Sequence, residues 1–265
     1  MRQVNDLNKF CYKYERSYEM DEEIKSIVNN GITSQSMLNA ARLIRDREKS
    51  RFLKLPVNLT AGLHYQPKVS IAELTQIAEA IYGEQETGLA LKSIELAERE
   101  EIMLRVLGPF SALMEAVGSN LLFKWLCRHT EEVQLALTKI TENLSVYIEA
   151  AIGRGAAIIS LAEPSVLTEV LGEERCRDNV FLHTVRLMRV LDSPLDNGIL
   201  HLCPRTSYQL EDFGLIRREK VGCSKQTYAA ALSESVQNRD IKYVGHRCIH
   251  GENRIVDKLY VLKLL

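Results

Sequence analysis

The sequence predicts an α/β protein: a TIM-type (β/α) barrel in shortened form, with a helical extension at its N-terminus. Three observations predict it. Strand-like apolar runs alternate with amphipathic stretches of helical length, the pattern of βαβ units around a parallel sheet. The run Ala156-Ala-Ile-Ile-Ser-Leu161 is almost wholly apolar, as expected of a strand covered on both faces. The first strand-like run has no glycine-rich phosphate loop after it, which argues against a doubly wound nucleotide-binding sheet. Seven strands are expected, where the regular closed barrel has eight.

Residues 1–32, rich in charge and tyrosine, read as the extension, with a short helix opened by Asp21-Glu22-Glu23 and stopped near Asn29-Asn30-Gly31. Residues 33–265 read as the barrel. Thr33 or Ser34 caps a helix running to about Lys49, where Met37, Leu38, Ala41 and Leu43-Ile44 recur at helical spacing. Residues 52–59 follow as the first strand, and Pro56 within it points to an edge or a bulge. Ser70 caps an amphipathic helix over 71–81, and another spans 87–100. Residues 102–107 form the second strand and run into Gly108-Pro109-Phe110. Apolar periodicity then predicts two helices, 111–127 and 131–152, before the third strand at 156–161, which Glu163-Pro164 closes. A helical stretch over 165–192 leads to the fourth strand, ending in His201-Leu202-Cys203. Residues 217–222, 241–245 and 258–264 are the last three strands, with a helix over 226–238 between the first two.

Composition narrows the function classes. The chain is 46% hydrophobic and 26% charged, ordinary for a globular protein. A formal net charge of -1 gives no electrostatic reason to expect nucleic acid or an anionic membrane as partner. No apolar run approaches the roughly 20 residues of a membrane-spanning helix, and the N-terminus has no apolar signal region, so a cytoplasmic protein is expected. Six cysteines in such a chain read as thiols or metal ligands rather than a disulfide framework. Cys11, Cys127 and Cys176 fall in helical stretches and read as packing; Cys203, Cys223 and Cys248 fall at strand ends.

Residues two apart on a strand face the same side, so His201 and Cys203 are expected to converge at the C-terminal end of theirs. Cys223 ends the next strand, and His246, Cys248 and His250 follow the one after. Thiols and imidazoles on consecutive strand ends suggest a metal site, because zinc takes these ligands and keeps an open position where it is catalytic. Glu163 could orient a ligand or coordinate the metal, and could equally cap the helix that follows. Gly108 and Phe110 are read as shaping the pocket floor.

Taken in order, Gly108-Pro109-Phe110-Ser111 with Gly118, the strand from Gly155 to Glu163-Pro164, and His201-Leu202-Cys203 resemble the uroporphyrinogen decarboxylase superfamily. They look closest to its methylcobamide:coenzyme M methyltransferases and related corrinoid-linked enzymes. The resemblance covers about residues 33–265 and implies a (β/α)8 barrel. It further implies zinc held by His201, Cys203 and a later cysteine, best Cys248, with Cys223 as the alternative and His246 or His250 in reserve. That metal would deprotonate a small thiol (or similar) acceptor, which takes a methyl group from methylcobalamin or another corrinoid, free or on a partner protein. Glu163 is then the catalytic carboxylate supporting the metal, and Gly108 and Phe110 belong to the cofactor pocket. A homo-oligomer is compatible with this reading.

The sequence also departs from the family pattern. Pro204 stands where a glycine usually follows His-x-Cys, the strand at 258–264 carries no cysteine, and no strand is evident between the first helix pair and Ile102. Two rivals follow. A porphyrinogen decarboxylase needs basic residues for several substrate carboxylates, and residues 60–67 hold no arginine. An accessory or sensing subunit would bind a corrinoid or metal without turnover, a reading that the missing barrel material favours.

Overall fold

A computed structural model describes residues 33–55, 69–98, 100–166 and 168–265. The expected extension over 1–32, Pro56 and the loop at 60–67 lie outside the described residues. Seven strands make one sheet: β1 Leu53–Leu55, β2 Ile102–Leu107, β3 Ala156–Ala162, β4 Ile199–Leu202, β5 Ile216–Thr227, β6 Tyr243–Val244 and β7 Ile255–Leu264. Their order is β1-β2-β3-β4-β6-β7-β5. From β1 to β6 every pairing is parallel, the α/β arrangement that the sequence predicts. Among the described residues, β1 and β5 are the two ends of this order.

The end of the sheet differs from expectation. β7 runs antiparallel to both β6 and β5. The composition of β5 explains why. Arg217, Arg218 and Lys220 need water, and of its twelve residues only Ile216 is buried. A parallel strand between helices is covered on both faces, whereas an antiparallel pair tolerates one wet face. β5 is also longer than residues 217–222, so Cys223 lies inside a strand and not at its end.

The helices follow local chemistry. Thr33 and Ser36 form a reciprocal capping box at the start of α1, Ser34–Glu48, whose Met37, Leu38 and Ala41 are buried. Ser70 and Glu73 do the same for a 3-10 turn leading into α2, Leu74–Ala80. α3, Glu84–Leu96, begins at Gly83 and ends before the charged residues 98–101. The expected helix 111–127 is two, α4 Pro109–Val117 and α5 Ser119–Arg128, because Gly118 sits at φ 84°. That left-handed conformation is one only glycine adopts readily, and apolar spacing alone gives no sign of it. α6 spans Thr130–Gly153. The stretch 165–192 is likewise broken: short turns at Thr168–Leu171 and Glu173–Cys176, a π-helical segment Arg177–Phe181, then α7 Leu182–Val190.

One helix was not anticipated. α8, Pro204–Asp212, starts immediately after Cys203. Pro204 takes the first helical position, where its missing N–H is no loss. α9, Tyr228–Val236, is capped by Thr227 Oγ1 on the Ala230 N–H.

Alternation along the strands divides the interior in two. Leu104, Val106, Ile159, Leu161, Leu200 and Leu202 join the larger cluster under the helices. Met103, Ile158, Ile199 and Val244 face Phe52 and Tyr228 in a second cluster on the other side. At the edge of that side, Lys54 is 6% exposed and its Nζ lies 2.8 Å from both Glu48 and Glu252. One ammonium thus joins α1, β1 and the loop between β6 and β7. Lys54→Met leaves two largely buried carboxylates facing each other. Urea unfolding should show a loss of about 3–5 kcal/mol, partly recovered by adding Glu252→Gln; an unchanged midpoint would show that the ion pair does not hold these elements together.

Candidate functional site

The C-terminal ends of β2, β3 and β4 deliver Gly108, Glu163 and Cys203 to one place. Glu163 is fully buried. One carboxylate oxygen accepts the Phe110 N–H at 3.2 Å and the other the Ser111 N–H at 2.8 Å. These are two of the unpaired donors at the start of α4, where a negative charge also meets the positive end of the helix dipole. Gly108 makes the approach possible: a Cβ there would stand 2.1 Å from the Glu163 carboxylate. Burial pushes the Glu163 carboxyl up to about 7; hydrogen bonds from Ser111 and Phe110 oppose the rise, and Cys203 adds to it.

Cys203 lies just past the strand, as the residue that opens α8. Its N–H donates to the Leu161 carbonyl at 2.9 Å, and its Sγ is 3.6 Å from Thr206 Oγ1. That hydroxyl accepts the Glu163 N–H at 2.9 Å, leaving its proton available to the sulfur. Thr206 therefore couples the thiol to the backbone of Glu163.

His201 has other neighbours. Register sets Arg105, Ser160 and His201 side by side across β2, β3 and β4. His201 is fully buried, and its Nε2 lies 2.9 Å from the Arg247 carbonyl. A carbonyl only accepts, so Nε2 carries the proton, and Nδ1 is left to accept from Ser160 Oγ at 3.4 Å. Burial pushes the imidazole down to about 4, so it is neutral at physiological pH. The expected alternation stops because the strand ends at Leu202.

The expected zinc set of His201, Cys203 and Cys248 is therefore not assembled. Among the described residues, no group of three or more His, Cys, Asp or Glu side chains is placed to hold a metal ion. Both ring nitrogens of His201 are engaged within the fold, and Cys248 occupies the N-cap position of the short turn Ile249–Gly251 without a side-chain cap hydrogen bond. The zinc does not fit this arrangement. Among the described residues, the alternatives Cys223, His246 and His250 join no such group either. Burial raises the Cys223 thiol, which Asp257 and Glu234 reinforce. His246 Nε2 lies 3.0 Å from Glu211. His250 is pushed down to about 3 by burial, then by Arg105, Lys54 and His201. Phe110 is buried in the larger cluster, so it serves Glu163 through its N–H and not through its ring.

Sequence reasoning missed Thr206, Ser160, Tyr228 and Arg247. An available signal was Pro204: read as the first residue of a helix, it places Thr206 in the first turn beside Cys203.

Comparisons with known proteins converge. The model of a family described as Uroporphyrinogen decarboxylase (URO-D) matches residues 61–251. The methylcobamide:CoM methyltransferase MtaA of Methanosarcina barkeri is 26% identical over 121 residues, which is 43% of this chain and 35% of that protein. A methyltransferase from Methanosarcina mazei superposes with a TM-score of 0.52 at 16% identity, covering 64% of this chain and 56% of that one. At that identity the likeness is one of fold. The matches thus span about a third and somewhat over half of those relatives' lengths.

The Glu163 environment has a pH signature. An unfolded carboxyl releases its proton near the usual 4.5 and the folded one at about 7. Between those values the folded state holds a proton that the unfolded state lacks, so stability falls as pH rises, by roughly 3 kcal/mol in all. Denaturant titrations from pH 4.5 to 7.5 should show this slope, and Glu163→Gln should flatten it. A wild-type slope unchanged by that substitution would contradict the burial-driven shift.

Proposed function

The chain belongs to the uroporphyrinogen decarboxylase family, and on that premise we propose that it works in corrinoid-linked methyl transfer. A methyl group would move between a methyl-corrinoid, free or carried by a partner protein, and a small thiol acceptor. The observation that carries this reading is the meeting of Gly108, Glu163 and Cys203 at three adjacent strand ends. Such ends are where barrel enzymes build their sites. Similarity to the methylcobamide:CoM methyltransferase of M. barkeri supports the reaction class.

In this transfer the carbon–cobalt bond of the donor breaks with its electron pair left on the corrinoid, and a sulfur–carbon bond forms. The acceptor sulfur must first lose its proton. Glu163, with a carboxyl poised at about 7, is the group proposed to hold that proton, since a base works best near the operating pH. Gly108 leaves the carboxylate the room it occupies at the start of α4. Zinc, which the family resemblance implies, does not fit the described ligands.

A second reading has its own support. With both His201 nitrogens engaged, the chain would bind the corrinoid without turnover, as an accessory or sensing subunit. One assay separates the two: anaerobic incubation with methylcobalamin and a panel of small thiols, followed by the visible spectrum. Methyl transfer predicts thiol-dependent demethylation, falling about 100-fold in Glu163→Gln while the variant stays folded by circular dichroism. Saturable methylcobalamin binding without demethylation by any thiol would overturn it in favour of the accessory reading, and carbon dioxide release from a porphyrinogen would favour a decarboxylase.

A further inference from the structure

At the opposite end of the strands from Glu163 and Cys203, the starts of β4 and β6 meet the finish of the antiparallel β7. A cavity of about 320 Å³ opens there, lined by Leu262 and Leu264 of β7 and by Arg239, Asp240 and Lys263. Leu262 is fully buried, so the cavity has an apolar floor under charged walls. That size lies at the lower end of the range for small-molecule sites, which are concave, largely apolar and oriented by a few polar groups.

The charges around it fall into two sets. One set is already closed. Lys242 donates to the Asp192 carbonyl and lies 3.1 Å from Asp192 Oδ2 and 3.2 Å from Asp196 Oδ1. The Tyr243 hydroxyl donates to the Met188 carbonyl and lies 3.2 Å from the remaining Asp192 oxygen. The other set is open. Among the described residues, Arg239, Lys263 and the Asp240 carboxylate enter no ion pair. They are nonetheless held together: Lys263 Nζ donates to the Asp240 carbonyl at 3.3 Å. The turn itself is fixed by Asn238, whose side chain accepts the Asp240 N–H at 3.1 Å and whose carbonyl accepts the Ile241 N–H at 2.9 Å.

Two cations and one carboxylate thus surround an apolar floor. A plain anion would satisfy Arg239 and Lys263 but would face the Asp240 carboxylate. A plain cation would meet the reverse conflict, and more strongly, because β5 and β7 carry six Lys or Arg residues against two acidic ones. A molecule with a carboxylate, an ammonium and an apolar side chain answers all three groups and the floor.

We propose that this cavity at the starts of β4 and β6 binds a small zwitterion of the amino-acid type. Arg239 and Lys263 take its carboxylate, Asp240 its ammonium, and Leu262 and Leu264 its apolar side chain. The site is separate from the strand ends that carry Glu163 and does not depend on the methyl-transfer reading.

Calorimetric titration with L-leucine and L-phenylalanine tests it without any turnover. Saturable binding of at least one is expected. Affinity should fall about tenfold or more for the same molecule without its ammonium (4-methylpentanoate, 3-phenylpropionate) or without its carboxylate (3-methylbutylamine, 2-phenylethylamine). Glycine, which has no side chain to lay on the floor, should bind more weakly still. Arg239→Gln and Asp240→Asn alter exposed side chains and should melt with the wild type, yet each should weaken the amino acid by about tenfold. Absence of saturable binding to the wild type, equal affinity for an analogue lacking either charge, or unchanged affinity in either variant would each overturn the proposal.

Discussion

The strand ends are organised around one buried carboxylate. Glu163, at the end of β3, turns into the first turn of α4 and takes the N–H groups of Phe110 and Ser111. The contact exists because residue 108 has no Cβ, so a single glycine fixes how β2, β3 and α4 meet. The backbone of Glu163 reaches the other way, to Thr206 in α8, and so ties in β4. Charge, helix dipole and close packing all act at this point, and the large desolvation of Glu163 is the counterpart of that closure.

His201 plays a comparable part on the opposite side of the sheet. Its ring bridges Ser160 on β3 and the carbonyl of Arg247 beyond β6, bracing a loop that carries His246, Cys248 and His250. A neutral imidazole with one donor and one acceptor suits that position, because a buried polar atom without a partner costs more than its hydrogen bond returns. The same bracing explains why soft ligands that are close in sequence do not form a cluster. His201 and Cys203 belong to two hydrogen-bond systems: one runs through Ser160 and Arg247, the other through Thr206 and Glu163.

Much of the scaffold was legible from sequence. Residues 102–107 and 156–161 read as strands because each is apolar at all but one position, and the caps at Thr33 and Ser70 carry the side chains that close a helix end. What failed depends on longer-range physics. Gly118 splits a helix through a left-handed turn that periodicity does not register. The antiparallel pairing of β5 follows from which of its faces meets water, a tertiary fact. At the site, Gly108, Glu163 and Cys203 were singled out for separate roles, and the cap left open for Glu163 was on the helix that follows it, whereas its carboxylate meets the start of the earlier α4. The His201–Cys203 pairing assumed that the strand continued to residue 203, whereas Pro204 starts a helix and redirects the thiol.

The central claim is that the polar groups at these strand ends are committed to one another, with His201 a neutral brace and not a metal ligand. Long-range proton–nitrogen correlation spectra of protein labelled with nitrogen-15 histidine test this most directly. The account predicts that His201 remains in the Nε2–H tautomer from pH 5.5 to 8 and is unmoved by one equivalent of zinc. Loss of that tautomer, or a zinc-induced shift of a His201 ring nitrogen that disappears in Cys203→Ala, would contradict it.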